Sequence, residues 1–276
     1  MGGTGGVPDN QVVTALTIGI TSPRDPACKR GIAANFAASL ARDAVHGSSV
    51  CLIDADPFAR DVTTRLAVSG PHLEDFAGPS VEDADALAEA LASLREPPLR
   101  VLPSAGRGVG RVHRGMACVL PAVRDAFDVV VCDLVCGPSG PARALSNGLE
   151  QLDWLFLAVT PERAAVEAAG RFVDQFEEAR DRGHVAERVR LGIVATGDEG
   201  TTDERALAAL ELLGPPFLGS LPQLWGRAVP NFGFGAALGI GELDDAVGAL
   251  FERCTALADR RVALSGAPER VSSRAS

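Results

Sequence analysis

Short, continuous apolar runs alternate along this chain with stretches whose apolar residues recur at helical spacing. This alternation constrains the fold more than any other feature, because strands that are apolar on both faces need helices above and below them. Residues 15–21 (ALTIGIT), 49–53 (SVCLI), 100–102, 128–132 (DVVVC), 154–159, 189–195 and 217–221 read as strands. Residues 31–43 carry Ile32, Phe36 and Leu40 among small alanines, the pattern of an amphipathic helix. Further helices are expected at 84–94, 116–126, 163–182 and 242–263, the last with Leu243, Val247, Leu250 and Cys254 on one face. Right-handed crossovers turn this order into a doubly wound, mostly parallel α/β sheet with helices on both faces. One domain is expected over residues 12–264, with mobile tails at 1–11 and 265–276. Ligands in such sheets sit beyond the carboxyl ends of the strands. Those ends here carry residues 22–29, 54–61, 133–137 and Thr160-Pro161.

Charge and composition narrow the function. The formal net charge is -10 and no segment is dense in Lys or Arg, which argues against non-specific DNA binding. Lys29 is the sole lysine among 26 basic residues, and there is no tyrosine. The six cysteines are scattered, so they read as reduced structural thiols. Cys132 and Cys136 are four apart with no second pair to complete a metal set. Cys28 and Cys136 each follow an expected strand, and a redox pair between them stays open. Residues 1–10 lack a signal pattern, and the apolar run 152–159 is too short to cross a bilayer. A cytoplasmic protein is expected. His46, His72, His113 and His184 read as surface residues, and 74–85 as an exposed acidic stretch, either a solvated face or a partner surface.

Five segments in order carry a more specific pattern. Arg24-Asp25-Pro26-Ala27-Cys28-Lys29-Arg30-Gly31 follows the first strand and opens the Ala-rich helix with Asn35. Ile53-Asp54-Ala55-Asp56-Pro57 ends the second strand, with Thr63-Thr64 downstream, and Leu102-Pro103-Ser104-Ala105-Gly106 follows the third. Asp128 to Asp133 is followed by Gly137, and Val159-Thr160-Pro161-Glu162 closes a later strand. In these segments, over residues 16–257, the chain resembles the MinD/ParA family of P-loop ATPases, the deviant Walker A proteins.

The resemblance implies a P-loop NTPase-like domain, ATP and Mg²⁺ as ligands, and a homodimer joined through the nucleotide face. It places Lys29 on the phosphate, with Arg30, Gly31 and Gly137 beside it, and Arg24 where the family carries a second lysine. It gives Asp54 and Asp133 to Mg²⁺ and Asp56 to orientation of the attacking water. The departures fall on the chemistry. A phosphate loop binds through successive backbone N–H groups that glycines let curve, and here Asp25, Pro26 and Cys28 replace those glycines. Pro26 has no N–H to offer. Arg30 stands in place of the Mg²⁺-binding hydroxyl, and a guanidinium carries only donors. After residue 195 the adenine-reading Asn is also missing.

The reading that follows is a MinD/ParA-like protein with a degenerate nucleotide site. It would hydrolyse ATP weakly or not at all and act through protein partners in division, chromosome partitioning, or pilus, flagellum or secretion placement. The alternatives are an active ATPase with an atypical loop, or an ATP-dependent metabolic enzyme on the same fold. The lack of tyrosine argues against the related tyrosine kinases, and the lack of a C-x-x-C pair against iron–sulfur relatives. The acidic start of the last helix argues against a direct membrane anchor, leaving recruitment to a pole or membrane by a partner.

Overall fold

The structure, a computed structural model, describes residues 15–24, 29, 31–42, 48–78, 83–94, 98–135, 149–197, 203–222 and 241–265. The described strands are β1 (Leu16–Thr21), β2 (Val50–Ala55), β3 (Ala92–Leu94), β4 (Leu99–Leu102), β5 (Val129–Leu134), β6 (Trp154–Val159), β7 (Arg190–Gly197) and β8 (Phe217–Pro222). They form one sheet in the order β3-β4-β2-β5-β1-β6-β7-β8. Every neighbouring pair is parallel except β3 and β4. This is the expected single α/β domain.

The helices are α1 (Ile32–Arg42), α2 (Asp61–Leu66), α3 (Ala84–Ala90), α4 (Val109–Ala126), α5 (Arg163–Asp181), α6 (Glu204–Glu211) and α7 (Gly241–Ser265). They cover both faces. One core joins the strands to α4, α5 and α6 through residues such as Met116, Val119, Phe172 and Leu210. The other joins them to α1, α2 and α7 through Phe36, Val62 and Leu250. There the rings of Phe36 and Phe156 meet edge to face, with centroids 5.7 Å apart. β2, β5 and β6 are buried along their whole length, which is why their sequences are continuous rather than alternating.

Several expectations are corrected. The helix expected over 84–94 ends at Ala90, because Leu91 turns to extended backbone. Ala92–Leu94 then pairs antiparallel with the free edge of β4, which satisfies its backbone groups. α4 begins at Val109, not 116, and His113 is buried on its inner face. The acidic stretch is not all exposed, since Glu74 is completely buried. The short helices α2 and α6 had no counterpart in the sequence reading. Cys51, Cys132 and Cys254 are free and buried, as read, and burial pushes the Cys254 thiol up to about 12. His46, Cys28, Cys136, residues 1–11 and residues 266–276 lie outside the described residues.

Candidate functional site

β2, β5 and β1 lie side by side and run the same way, so their C-terminal ends share one edge of the sheet. Asp54, penultimate in β2, is in register with Asp133, penultimate in β5. Lys29, just ahead of α1, reaches this edge. Its Nζ lies 2.9 Å from Asp56 Oδ2 and 2.8 Å from Asp133 Oδ1, and it donates to the Leu134 carbonyl. Lys29, Asp54, Asp56 and Asp133 are each at most 2% exposed. One buried cation therefore serves a group of three carboxylates. Of the residues the sequence singles out, these four are brought together.

Each carboxylate is held differently. Asp56 Oδ1 accepts from the N–H groups of Phe58 and Ala59 at 3.0 and 3.1 Å, which shapes the turn after β2 and leaves Oδ2 for Lys29. Asp54 Oδ2 accepts from Thr63 N at 2.9 Å and Thr63 Oγ1 at 2.6 Å, and its Oδ1 from Asp56 N at 3.3 Å. Burial pushes the Asp54 carboxyl up to about 6, against the hydrogen bonds from Thr63, which lower it. Burial pushes Asp133 to about 7; the Lys29 charge opposes this and the Asp54 charge adds to it.

Gly31 opens α1 with φ +78, a left-handed conformation that glycine adopts without strain. Arg24, just beyond the end of β1, is exposed. It borders a cavity of about 290 Å³ that Ser22, Val159, Thr160, Glu162 and Ala165 also line. Arg30 and Gly137 lie outside the described residues, as do Asp25 and Pro26.

Two residues of the site's surroundings carry more than their sequence pattern signals. Thr63 lies merely downstream of the Asp-x-Asp pair in sequence, yet it supplies two of the hydrogen bonds to Asp54. Glu74 reads as one of a run of surface acids, yet it is buried against the loop 104–107. A glycine inside that loop, Gly106 at φ +74, is the one local sign of a tight turn there.

The arrangement fits an anion at Lys29, whose ammonium can exchange a carboxylate oxygen for a phosphate oxygen. It does not provide a metal cage: among the described residues no three His, Cys, Asp or Glu side chains are grouped to hold an ion. Asp54 and Asp133, the pair the resemblance gives to Mg²⁺, face each other, but Asp54 is taken up by Thr63 and Asp133 by Lys29. No helix among the described residues is long and apolar enough to cross a membrane.

No protein-family model matches the chain, and no curated protein matches it in sequence. Solved structures do. The Cyanothece McdA(D38A)–ATP complex superposes with a TM-score of 0.65 at 19% identity, covering 87% of this chain and 96% of that one. A ParA family ATPase from Chlorobium tepidum gives 0.63 at 17% identity, covering 85% and 96%. The septum site-determining protein MinD with Mg-ADP from Pyrococcus horikoshii gives 0.61 at 18% identity, covering 88% and 97%. At such identities the likeness shows the fold, that of the McdA, MinD and ParA ATPases, and a fold does not fix a function.

Proposed function

We propose that this chain is a MinD/ParA-like positioning or scaffold factor with a degenerate nucleotide site. It hydrolyses ATP weakly or not at all and works through protein partners. The observation that carries this reading is the buried Lys29, held by Asp56, Asp133 and the Leu134 carbonyl. To meet a phosphate it must give up a carboxylate that is itself out of water, and breaking a buried pair is costly. The sequence adds little to offset that cost, with Pro26 lacking an N–H and Arg30 in place of a metal-binding hydroxyl. In the McdA and Pyrococcus horikoshii MinD complexes the ligands are ATP and Mg-ADP. Mg·ATP is therefore the ligand to test, with Lys29 holding phosphate and Asp54 and Asp133 nearest to any cation.

The same face supports a homodimer. Arg24 is exposed there, and Phe58, in the turn after Asp56, is 74% exposed, one of the two large apolar side chains so placed among the described residues. A second reading, an active ATPase, is favoured by the contact between Lys29 and Asp56, which would put phosphate binding and water orientation side by side.

Calorimetry of the full chain with Mg·ATP, read beside Lys29→Met and paired with light scattering for mass, separates these readings. The expected result is a weak heat at most, abolished in Lys29→Met. A tight complex that turns over its nucleotide supports the active ATPase instead. A mass that stays monomeric at all concentrations, with and without Mg·ATP, removes the homodimer.

A further inference from the structure

The residues that hold Asp54 do not stop at Thr63. Thr63 gives its hydroxyl proton to Asp54 Oδ2, and its own Oγ1 accepts the Ser104 N–H at 2.9 Å. Ser104 also gives its hydroxyl proton to Glu74 Oε1 at 2.9 Å while accepting the Gly106 N–H at 3.1 Å. Glu74 takes the Ala105 N–H at 2.8 Å and the Arg107 N–H at 3.0 Å. Each hydroxyl has one proton, and both are committed to carboxylates, so the direction of every bond is fixed. Asp54, Glu74 and Ser104 have no exposed surface, and Thr63 has 8%. Water cannot substitute for a lost link, which makes each bond expensive to leave unmade.

We propose that Ser104 and Glu74 are positioning residues of the Lys29 site. Acting through Thr63, they fix Asp54, and the same bonds make the loop 104–107 answer to the state of the site. Ser104 is the junction: its N–H serves the Asp54 branch and its O–H the Glu74 branch. Asp54 cannot shift without moving Thr63, and Thr63 cannot move without breaking its bond to Ser104. A second tie runs from Arg60 Nε, at the start of α2, to the Ser104 carbonyl at 3.3 Å. The loop leads directly into α4, and Arg107 at its end pairs with Asp75 at 2.7 Å on the exposed surface. A change at Asp54 is thereby carried to a surface a partner can touch. The purpose of this link rests on the proposed reading of the site, but the link itself needs no nucleotide to be tested.

The test is NMR of the full chain with labelled side-chain carboxyls, at a pH where both acids are ionised. Glu74→Gln is expected to move the Asp54 carboxyl resonance although the two side chains do not touch. In the other direction, Thr63→Val is expected to speed amide exchange at Ala105 and Arg107 by about tenfold, with Thr63→Ser restoring the slow rate. An Asp54 resonance unmoved in Glu74→Gln overturns the inference, leaving Glu74 as a pin for its own loop. So does equal exchange in Thr63→Val and Thr63→Ser, an arm that stands even where Glu74→Gln fails to fold. Neither result bears on ATP affinity, which the calorimetry reads separately.

Discussion

At Lys29 one ammonium sits between Asp56 and Asp133 in a place water does not reach, with Asp54 in register beside them. Removing the cation leaves three carboxylates to share a dry site. Lys29→Met is expected to lower stability at pH 8 by roughly 3–5 kcal/mol, measured by urea unfolding. The loss should shrink at pH 5, where protonation relieves the crowding. The same groups set the pH dependence of the wild-type chain. The folded-state values of Asp54 and Asp133, about 6 and about 7, lie above the ordinary 3.8. Between about pH 4 and 7 the folded chain therefore binds more protons than the unfolded one, and stability from these groups falls as pH rises. Glu74 has the opposite sign: hydrogen bonds from Ala105, Arg107 and Ser104 outweigh its burial and hold it below its usual value. Its contribution is present above the unfolded value and is lost as pH falls through the folded one. Urea midpoints should fall from about pH 4 to about pH 7, and Asp133→Asn should flatten that limb. A wild-type profile that rises steadily from pH 5 to 8 contradicts the buried-carboxylate account.

At the scale of elements, α2 and α4 position the site, and each has a residue that tests its role. α2 is bounded by two non-glycine residues in the left-handed region, Arg60 at φ 48 and Ala67 at φ 46. Ala67→Gly relieves the second and is expected to raise stability by about 0.5–1 kcal/mol, read as a higher melting temperature. Gly115 in α4 lies under the chain that carries Glu74: a Cβ there would come within 2.2 Å of the Leu73 carbonyl oxygen. Gly115→Ala is expected to cost about 1–3 kcal/mol, because backbone rather than a flexible side chain must move. These two elements also show what was legible beforehand. The inner strands were, since continuous runs such as WLFLAV and VVVCDL have no other way to be buried. The edge strand Ala92–Leu94 was not, because three residues carry no period and their pairing is decided by a free edge of β4. Glu74 was hidden for a related reason. A glutamate in an acidic run looks solvated, and its partners are backbone N–H groups some thirty residues along the chain.

Over the whole molecule, the strand order brings the ends of β2, β5 and β1 together, so that Lys29, Asp54, Asp56 and Asp133 meet although they span more than a hundred residues. That meeting was legible in sequence through the resemblance, which assigns all four residues to one nucleotide site, although the sheet order β2-β5-β1 is not the chain order. The clamp on Lys29 was not, because which anion a cation chooses depends on distances only the folded chain sets. The fold is shared with ATPases solved with ATP and with Mg-ADP, and the proposal of a degenerate site rests on Pro26 and Arg30 in the sequence together with the hold on Lys29. On the proposed function the site keeps its charges and turns ATP over weakly or not at all. Steady-state phosphate release from Mg·ATP by the full chain, measured beside Asp56→Asn, tests it most directly. The two rates are expected to be low and indistinguishable. Release by the wild-type chain that Asp56→Asn abolishes would contradict it.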